Sequence, residues 1–228
     1  MQRRGRLERA VLLDINETFL RTSARKLARQ YPEIGVCGVV GNFLHDLELI
    51  GTGDNRLFIF LAGTIGNLYP LQLTAFLRNV RAVLGTQDAF LVGLDLVKDR
   101  DRLEAAYNDS AGVTAEFNLN ALRTLNRRFG TAFDIDAFEH RAFYDCEQEW
   151  IEMRLRAKRP TSASLGDGRQ MRFDSGDEIR TEISRKFTRR SFVEALEGTG
   201  LELSAWFTDS DSLFASALVR PVPVSSSP

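Results

Sequence analysis

Asn67 ends the stretch Leu57-Phe58-Ile59-Phe60-Leu61-Ala62-Gly63-Thr64-Ile65-Gly66-Asn67, where a continuous apolar run gives way to small residues and then to an amide that can both donate and accept. The run reads as a buried parallel strand, and ligands of an open α/β sheet bind outside the carboxyl ends of its strands. Gly63 and Gly66 would let backbone approach such a ligand closely. An ordinary strand-to-helix turn explains the same residues, and on this stretch alone it is the better reading. Other chemistry is poorly supplied. Cys37 and Cys146 lie far apart and near no matching His pattern, which argues against a structural zinc site and gives no basis for a disulfide. With His45 and His140 the only histidines, catalysis by several imidazoles is disfavoured.

The elements that must position these residues alternate along the first half. Ala10 to Ile15 reads as a strand ending at Asp14, and a helix from Asn16 or Thr18 runs to Tyr31. Strands follow over Val36 to Val40, Leu57 to Ala62 and Ala89 to Leu96, with a helix over Leu71 to Leu84 stopped by Gly85. Strands separated by helices imply right-handed crossovers and a largely parallel, doubly wound α/β sheet. The pattern then changes. Arg102 to Tyr107 and Val113 to Phe129 read as helices, and Arg141 to Lys158 alternates as antiparallel strands do. Arg159 to Arg169 reads as a turn-rich connection, with Gln170 to Phe173 as a partner strand. A helix over Ser191 to Glu197 and a hairpin of Leu203 to Thr208 with Leu213 to Val219 return to the main sheet, and the tail Pro221 to Pro228 frays. This divides the chain into a main unit of residues 1–98 and 188–228 and an inserted α+β unit of residues 99–187.

Of the 228 residues, 43% are hydrophobic and 27% charged, as in a globular protein. Thirty basic and 31 acidic residues leave a net charge of -1, so no strong field favours nucleic acid or a membrane surface. The opening Met1 to Arg6 is locally basic and reads as a solvated helix end rather than a nucleic-acid arm. No stretch has the length and apolarity of a membrane span or a signal-peptide core, so a cytoplasmic location is expected.

Six segments together resemble the S-adenosylmethionine-dependent histidine Nα-methyltransferases of ergothioneine biosynthesis. They are Gly63-Thr64-Ile65-Gly66-Asn67, Gly93 to Asp99, Ala106-Tyr107-Asn108-Asp109, Gly112 to Asn118, Glu149 to Leu155 and Arg180 to Phe187, in the family's order. The resemblance implies a Rossmann-like methyltransferase sheet with a substrate-binding insertion, S-adenosyl-L-methionine as cofactor and histidine as the small-molecule partner. Asp14 matches the carboxylate that accepts the cofactor's ribose hydroxyls, although a helix N-cap also explains it. Asn42 and Phe43 match an Asp-Phe pair holding the adenine, with Asn in place of Asp. Asn67 matches the residue holding the amino acid's amine and carboxylate, and Tyr107 the one bonding its carboxylate. Glu182 and Ser184 match the pair gripping the imidazole, and their spacing puts both on one face of an extended segment. Without the resemblance, Glu182 reads as a solvated charge among Arg180, Arg185 and Lys186. Met153 is expected to line the same pocket or simply to fill core.

The reaction so implied is methylation of the histidine α-amine to the trimethylated betaine, with no metal and no catalytic side chain identified beyond the orienting Asn67 and Tyr107. Family members carry, upstream of the Asp14 strand, a first sheet strand with a Gly-rich loop and a further substrate-binding segment. The chain is therefore expected to be an N-terminally truncated fragment whose sheet lacks its central strand, a monomer when full length. The alternatives are a methyltransferase for another amino acid and a non-catalytic amino-acid-binding remnant.

Overall fold

A computed structural model describes residues 7–223. The basic opening and residues 224–228 of the expected frayed tail lie outside it. Strand β1 (Arg9–Asp14) pairs in parallel with β2 (Gly35–Val40), and the crossover helix α1 (Glu17–Gln30) packs on them. Leu20 is the buried anchor of α1, seated over Gly38, where an added Cβ would stand 3.3 Å from the Leu20 Cγ. Asn16 is the helix cap, its Oδ1 accepting the Phe19 N–H at 3.0 Å.

The second piece of sheet carries the main core. Strands β3 (Leu57–Phe60) and β4 (Ala89–Asp95) are parallel and joined through α2 (Pro70–Val83). Pro70 suits the first helical position, where no N–H is needed. The closing hairpin of β10 (Leu201–Thr208) and β11 (Phe214–Pro221) adds antiparallel to β4, giving the order β10-β11-β4-β3. Phe76, Leu77, Val92, Leu94 and Ala217 fill this core with Phe192 of α5 (Arg189–Leu196). The architecture is mixed α/β, and among the described strands β1–β2 and β3–β4 pair in parallel. Among the described residues β1 pairs only with β2 and β3 only with β4, so the sheet is divided where its central strand was expected to be missing. Leu57 and Ile59 of β3 stay 52% and 58% exposed.

Between β4 and α5 come α3 (Arg100–Tyr107), α4 (Val113–Phe129) and an antiparallel sheet of β5 (Phe138–Asp145), β6 (Trp150–Ala157) and β9 (Glu178–Arg185). The segment read as a turn-rich connection also holds a strand, β7 (Thr161–Ser164), paired with β8 (Gln170–Phe173). Its polar residues hide one buried contact: Ala163 packs into a satellite core with Phe133, Phe138 and Phe173.

A buried ion pair ties the starts of β3 and β4. Asp88, 1% exposed, accepts from the Arg56 backbone at 2.7 Å, from Arg56 Nε and Nη2 at 3.0 and 2.7 Å, and from the Gly85 N–H at 2.8 Å. Burial raises the Asp88 carboxyl, but these bonds outweigh it and hold the group below its ordinary range. Removing one partner of a buried pair strands the other, at a cost of about 3–5 kcal/mol. Asp88→Ala is accordingly expected to lower stability by roughly that amount, read as a reduced urea midpoint with an unchanged m-value.

Candidate functional site

The carboxyl end of β3 runs into a tight turn. Ala62 and Gly63 take left-handed backbone, φ 65° and 70°, and a single 3-10 turn spans Thr64–Asn67. Gly63 lies on the wall of a cavity, as a ligand-facing glycine would. Gly66 does not: it is buried, and a Cβ there would lie 2.7 Å from the Arg185 backbone oxygen. Its missing side chain serves close approach of the turn to β9 rather than to a ligand, and that approach brings Asn67 beside Glu182.

Backbone bonds bring the end of β9 to the end of β4. The Phe187 N–H donates to the Asp95 carbonyl at 2.8 Å, the Val97 N–H to the Phe187 carbonyl at 3.0 Å, and Leu96 forms a parallel bridge with Phe187. Alternation along β9 turns Glu182 and Ser184 to one face while Ile183 enters the core. Tyr107 ends α3, and its carbonyl accepts from His140 Nε2 at 2.8 Å while Asn118 donates to Nδ1 at 2.9 Å. His140 is therefore a structural group holding Tyr107 in place.

The result is a cavity of about 410 Å³ bounded by Ala62, Gly63, Thr64, Asn67, Asp95, Tyr107, Glu182, Ser184 and Phe214. That volume is within the range of small-molecule sites, about 300–1,000 Å³. Four residues singled out in the sequence, Asn67, Tyr107, Glu182 and Ser184, thus meet at one place although up to 117 positions separate them, 184 minus 67. Met153 pairs with Glu182 across the β6–β9 ladder but is 3% exposed and packs with Leu103, Ala142, Tyr144 and Ile151 behind the cavity. Asp14, Asn42 and Phe43 stand outside the lining. Asp14 Oδ1 accepts the Asn16 N–H at 2.7 Å, Asn42 Oδ1 accepts the Leu44 N–H at 2.9 Å, and the Phe43 ring packs 5.0 Å from Phe60 and 5.7 Å from Phe76.

Two lining residues, Phe214 and Asp95, and one beneath them, Lys186, have no counterpart among the sequence candidates. Phe214 covers Gly93, where a Cβ would come 2.7 Å from the ring, so the glycine makes room for an aromatic wall. Asp95 and, beneath the lining, Lys186 form the polar floor. Lys186, a member of the charge cluster read as solvated, is 0% exposed and donates to Asp95 Oδ2 at 2.7 Å, Tyr107 Oη at 2.8 Å and Ser184 Oγ at 2.9 Å. Lys98 pairs with the other Asp95 oxygen. Burial raises the Asp95 carboxyl, yet the bonds from both lysines bring it below its ordinary range. The signal for Lys186 was the strand period itself, which extends Glu182 and Ser184 by one further step.

The family described as "Histidine-specific methyltransferase, SAM-dependent" matches residues 3–221. A protein named histidine N-alpha-methyltransferase from Mycobacterium tuberculosis is 39% identical over 228 residues, covering 96% of this chain and 68% of that one. The protein of the same name from Mycolicibacterium smegmatis is 38% identical over 213 residues, with 93% and 66% covered. The chain thus spans about two thirds of the length of these curated relatives. Ergothioneine biosynthesis protein 1 of Neurospora crassa is 29% identical over 195 residues, covering 77% of this chain and 20% of that one. Among solved structures, the CcbJ methyltransferase from Streptomyces caelestis shares the fold with a TM-score of 0.50 at 16% identity, covering 93% of this chain and 74% of that one.

Burial raises the Glu182 carboxyl above its ordinary 4.5, with an Asn67 hydrogen bond and the Lys186 charge opposing. The folded chain therefore keeps a proton that the unfolded chain has already released, so this group's contribution to stability falls as pH rises past the unfolded value. Glu182→Gln is expected to melt higher than the parent near neutral pH, with the difference closing toward about pH 4. Paired thermal melts across that range check it; an unchanged or lower melting temperature at neutral pH refutes it.

Proposed function

This chain belongs to the histidine-specific, S-adenosylmethionine-dependent methyltransferase family, and on that footing we propose that it methylates the α-amine of L-histidine, in three successive transfers, to the trimethylated betaine. The observation that carries the reading is the meeting of Asn67, Tyr107, Glu182 and Ser184 in one cavity. In it Asn67 and Tyr107 hold the part common to all amino acids. Glu182 and Ser184 address the ring, a carboxylate and a hydroxyl being suited to the two nitrogens of an imidazole. Residues 99–187 supply Tyr107 and the ring-reading strand, and the flanking units supply the rest. Met153 supports that strand from behind.

The residues present fit the nucleoside part of the cofactor. Asp14 is half-buried, and among the described residues only its Oδ1 is engaged, which leaves an oxygen for ribose hydroxyls. Asn42 and Phe43 follow the end of β2, as Asp14 ends β1. The Asn42 oxygen already accepts the Leu44 N–H, so an adenine amino group would share that oxygen, a weaker arrangement than a carboxylate offers. When bound, S-adenosylmethionine supplies a methyl group already activated on a sulfonium. What remains for the chain is to orient the amine, hold it away from water and keep the ring in place. Orientation of this kind is worth about 7–11 kcal/mol in favourable cases.

A second reading, amino-acid binding without turnover, draws on the divided sheet and the exposed β3 edge. Calorimetry with histidine and with S-adenosylhomocysteine, followed by mass spectrometry of an incubation with both substrates, separates the two. Both ligands binding and a trimethylated product support the enzyme; histidine binding alone supports the module; neither binding refutes both. In the same assay Glu182→Ala is expected to weaken histidine binding by about 10- to 150-fold, the loss of a charge-assisted hydrogen bond of about 1.5–3 kcal/mol, while leaving nucleoside binding intact.

A further inference from the structure

The polar floor holds a group for which the proposed function has no task. An ammonium has three donors and accepts nothing. All three donors of Lys186 are spent, on Asp95 Oδ2, Tyr107 Oη and Ser184 Oγ, and the ammonium also lies 4.7 Å from the Tyr107 ring centroid. The two hydroxyls bond each other as well, Tyr107 Oη standing 2.8 Å from Ser184 Oγ. Their protons can then be counted. Neither can point at Lys186, one is consumed by the bond between them, and one is left. Both residues line the cavity, so the remaining proton is available to whatever the cavity holds.

We propose that Lys186 is a positioning residue that makes Tyr107 and Ser184 act as one shared hydrogen-bond donor toward the bound amino acid. Whichever hydroxyl meets the ligand, the other yields its proton inward. The tip of α3 and strand β9 are thereby coupled. Asp95 is what allows a cation at this depth: it takes the third donor of Lys186 and shares its other oxygen with Lys98. This inference rests on the reading of the cavity as a histidine site, and its test is arranged to tell the two apart.

The test is a double-mutant cycle of Tyr107→Phe and Ser184→Ala, with histidine affinity read by calorimetry, in the wild-type and the Lys186→Met backgrounds. With Lys186 present, each single change is expected to cost less than about tenfold, because the surviving hydroxyl turns its proton to the ligand. The double variant is expected to lose about tenfold beyond the product of the single losses. In Lys186→Met that excess should vanish, since the hydroxyls are no longer held in register, an effect that loss of packing alone would not produce. Independent, multiplicative losses with Lys186 present overturn the proposal, and so does an excess that survives in Lys186→Met. Should Lys186→Met fail to fold, nitrogen-15 spectra of the wild-type lysine ammoniums decide beside the first cycle. A Lys186 signal protected from exchange and shifted by both single changes supports the coupling; its absence overturns it. A wild-type chain that binds no histidine overturns the histidine reading and this inference together, whereas binding with independent losses overturns this inference alone.

Discussion

The buried ammonium of Lys186 is the constraint on which the candidate site depends. A charge with no exposed surface costs several kcal/mol unless partners surround it. Its partners come from three places that the chain reaches at different times: Asp95 at the end of β4, Tyr107 at the end of α3, and Ser184 on β9. None of these elements can shift without stranding the charge. Cavity geometry and charge compensation are therefore one requirement, and the residues around the ligand space are held by electrostatics from below as well as by packing from behind.

Two further devices set the same geometry at the level of the backbone. Gly66 lets the turn after β3 lie directly on the Arg185 carbonyl, and Gly93 lets the Phe214 ring lie against β4. Each glycine is defined by what occupies the space of its absent side chain. In both cases that is another part of the protein, one a backbone and the other an aromatic wall. The left-handed pair Ala62–Gly63 then turns the chain between them. The site is assembled by close approach of main chain, with side chains added on top.

Much of this is legible in the sequence. The apolar run into Asn67 marked a strand end, and the two-residue step between Glu182 and Ser184 required an extended segment, which β9 provides. The alternation of strands and helices marked the main α/β elements, while the division of the sheet followed only from the family resemblance. What escaped had a physical cause in each instance. Lys186 sits among Arg180 and Arg185, so local composition suggests solvent, and only long-range pairing with Asp95 buries it. Phe214 belongs to a strand one of whose two neighbours in space, β4, lies more than a hundred residues earlier in the chain. Strand β7, four residues of Thr, Ser and Ala, has no hydrophobic alternation to announce it and is held by pairing with β8 and by the buried Ala163. Gly66 reads in the sequence as room for a ligand, whereas the space of its absent side chain belongs to the Arg185 backbone.

The main-chain bonds linking Asp95 and Val97 to Phe187 have a kinetic corollary. They stitch the strand that reads the ring to the strand that ends at the polar floor, so parting the two sheets to admit a ligand would rupture paired backbone in a water-poor region. Slow, millisecond hinge opening is a poor route for such a frame.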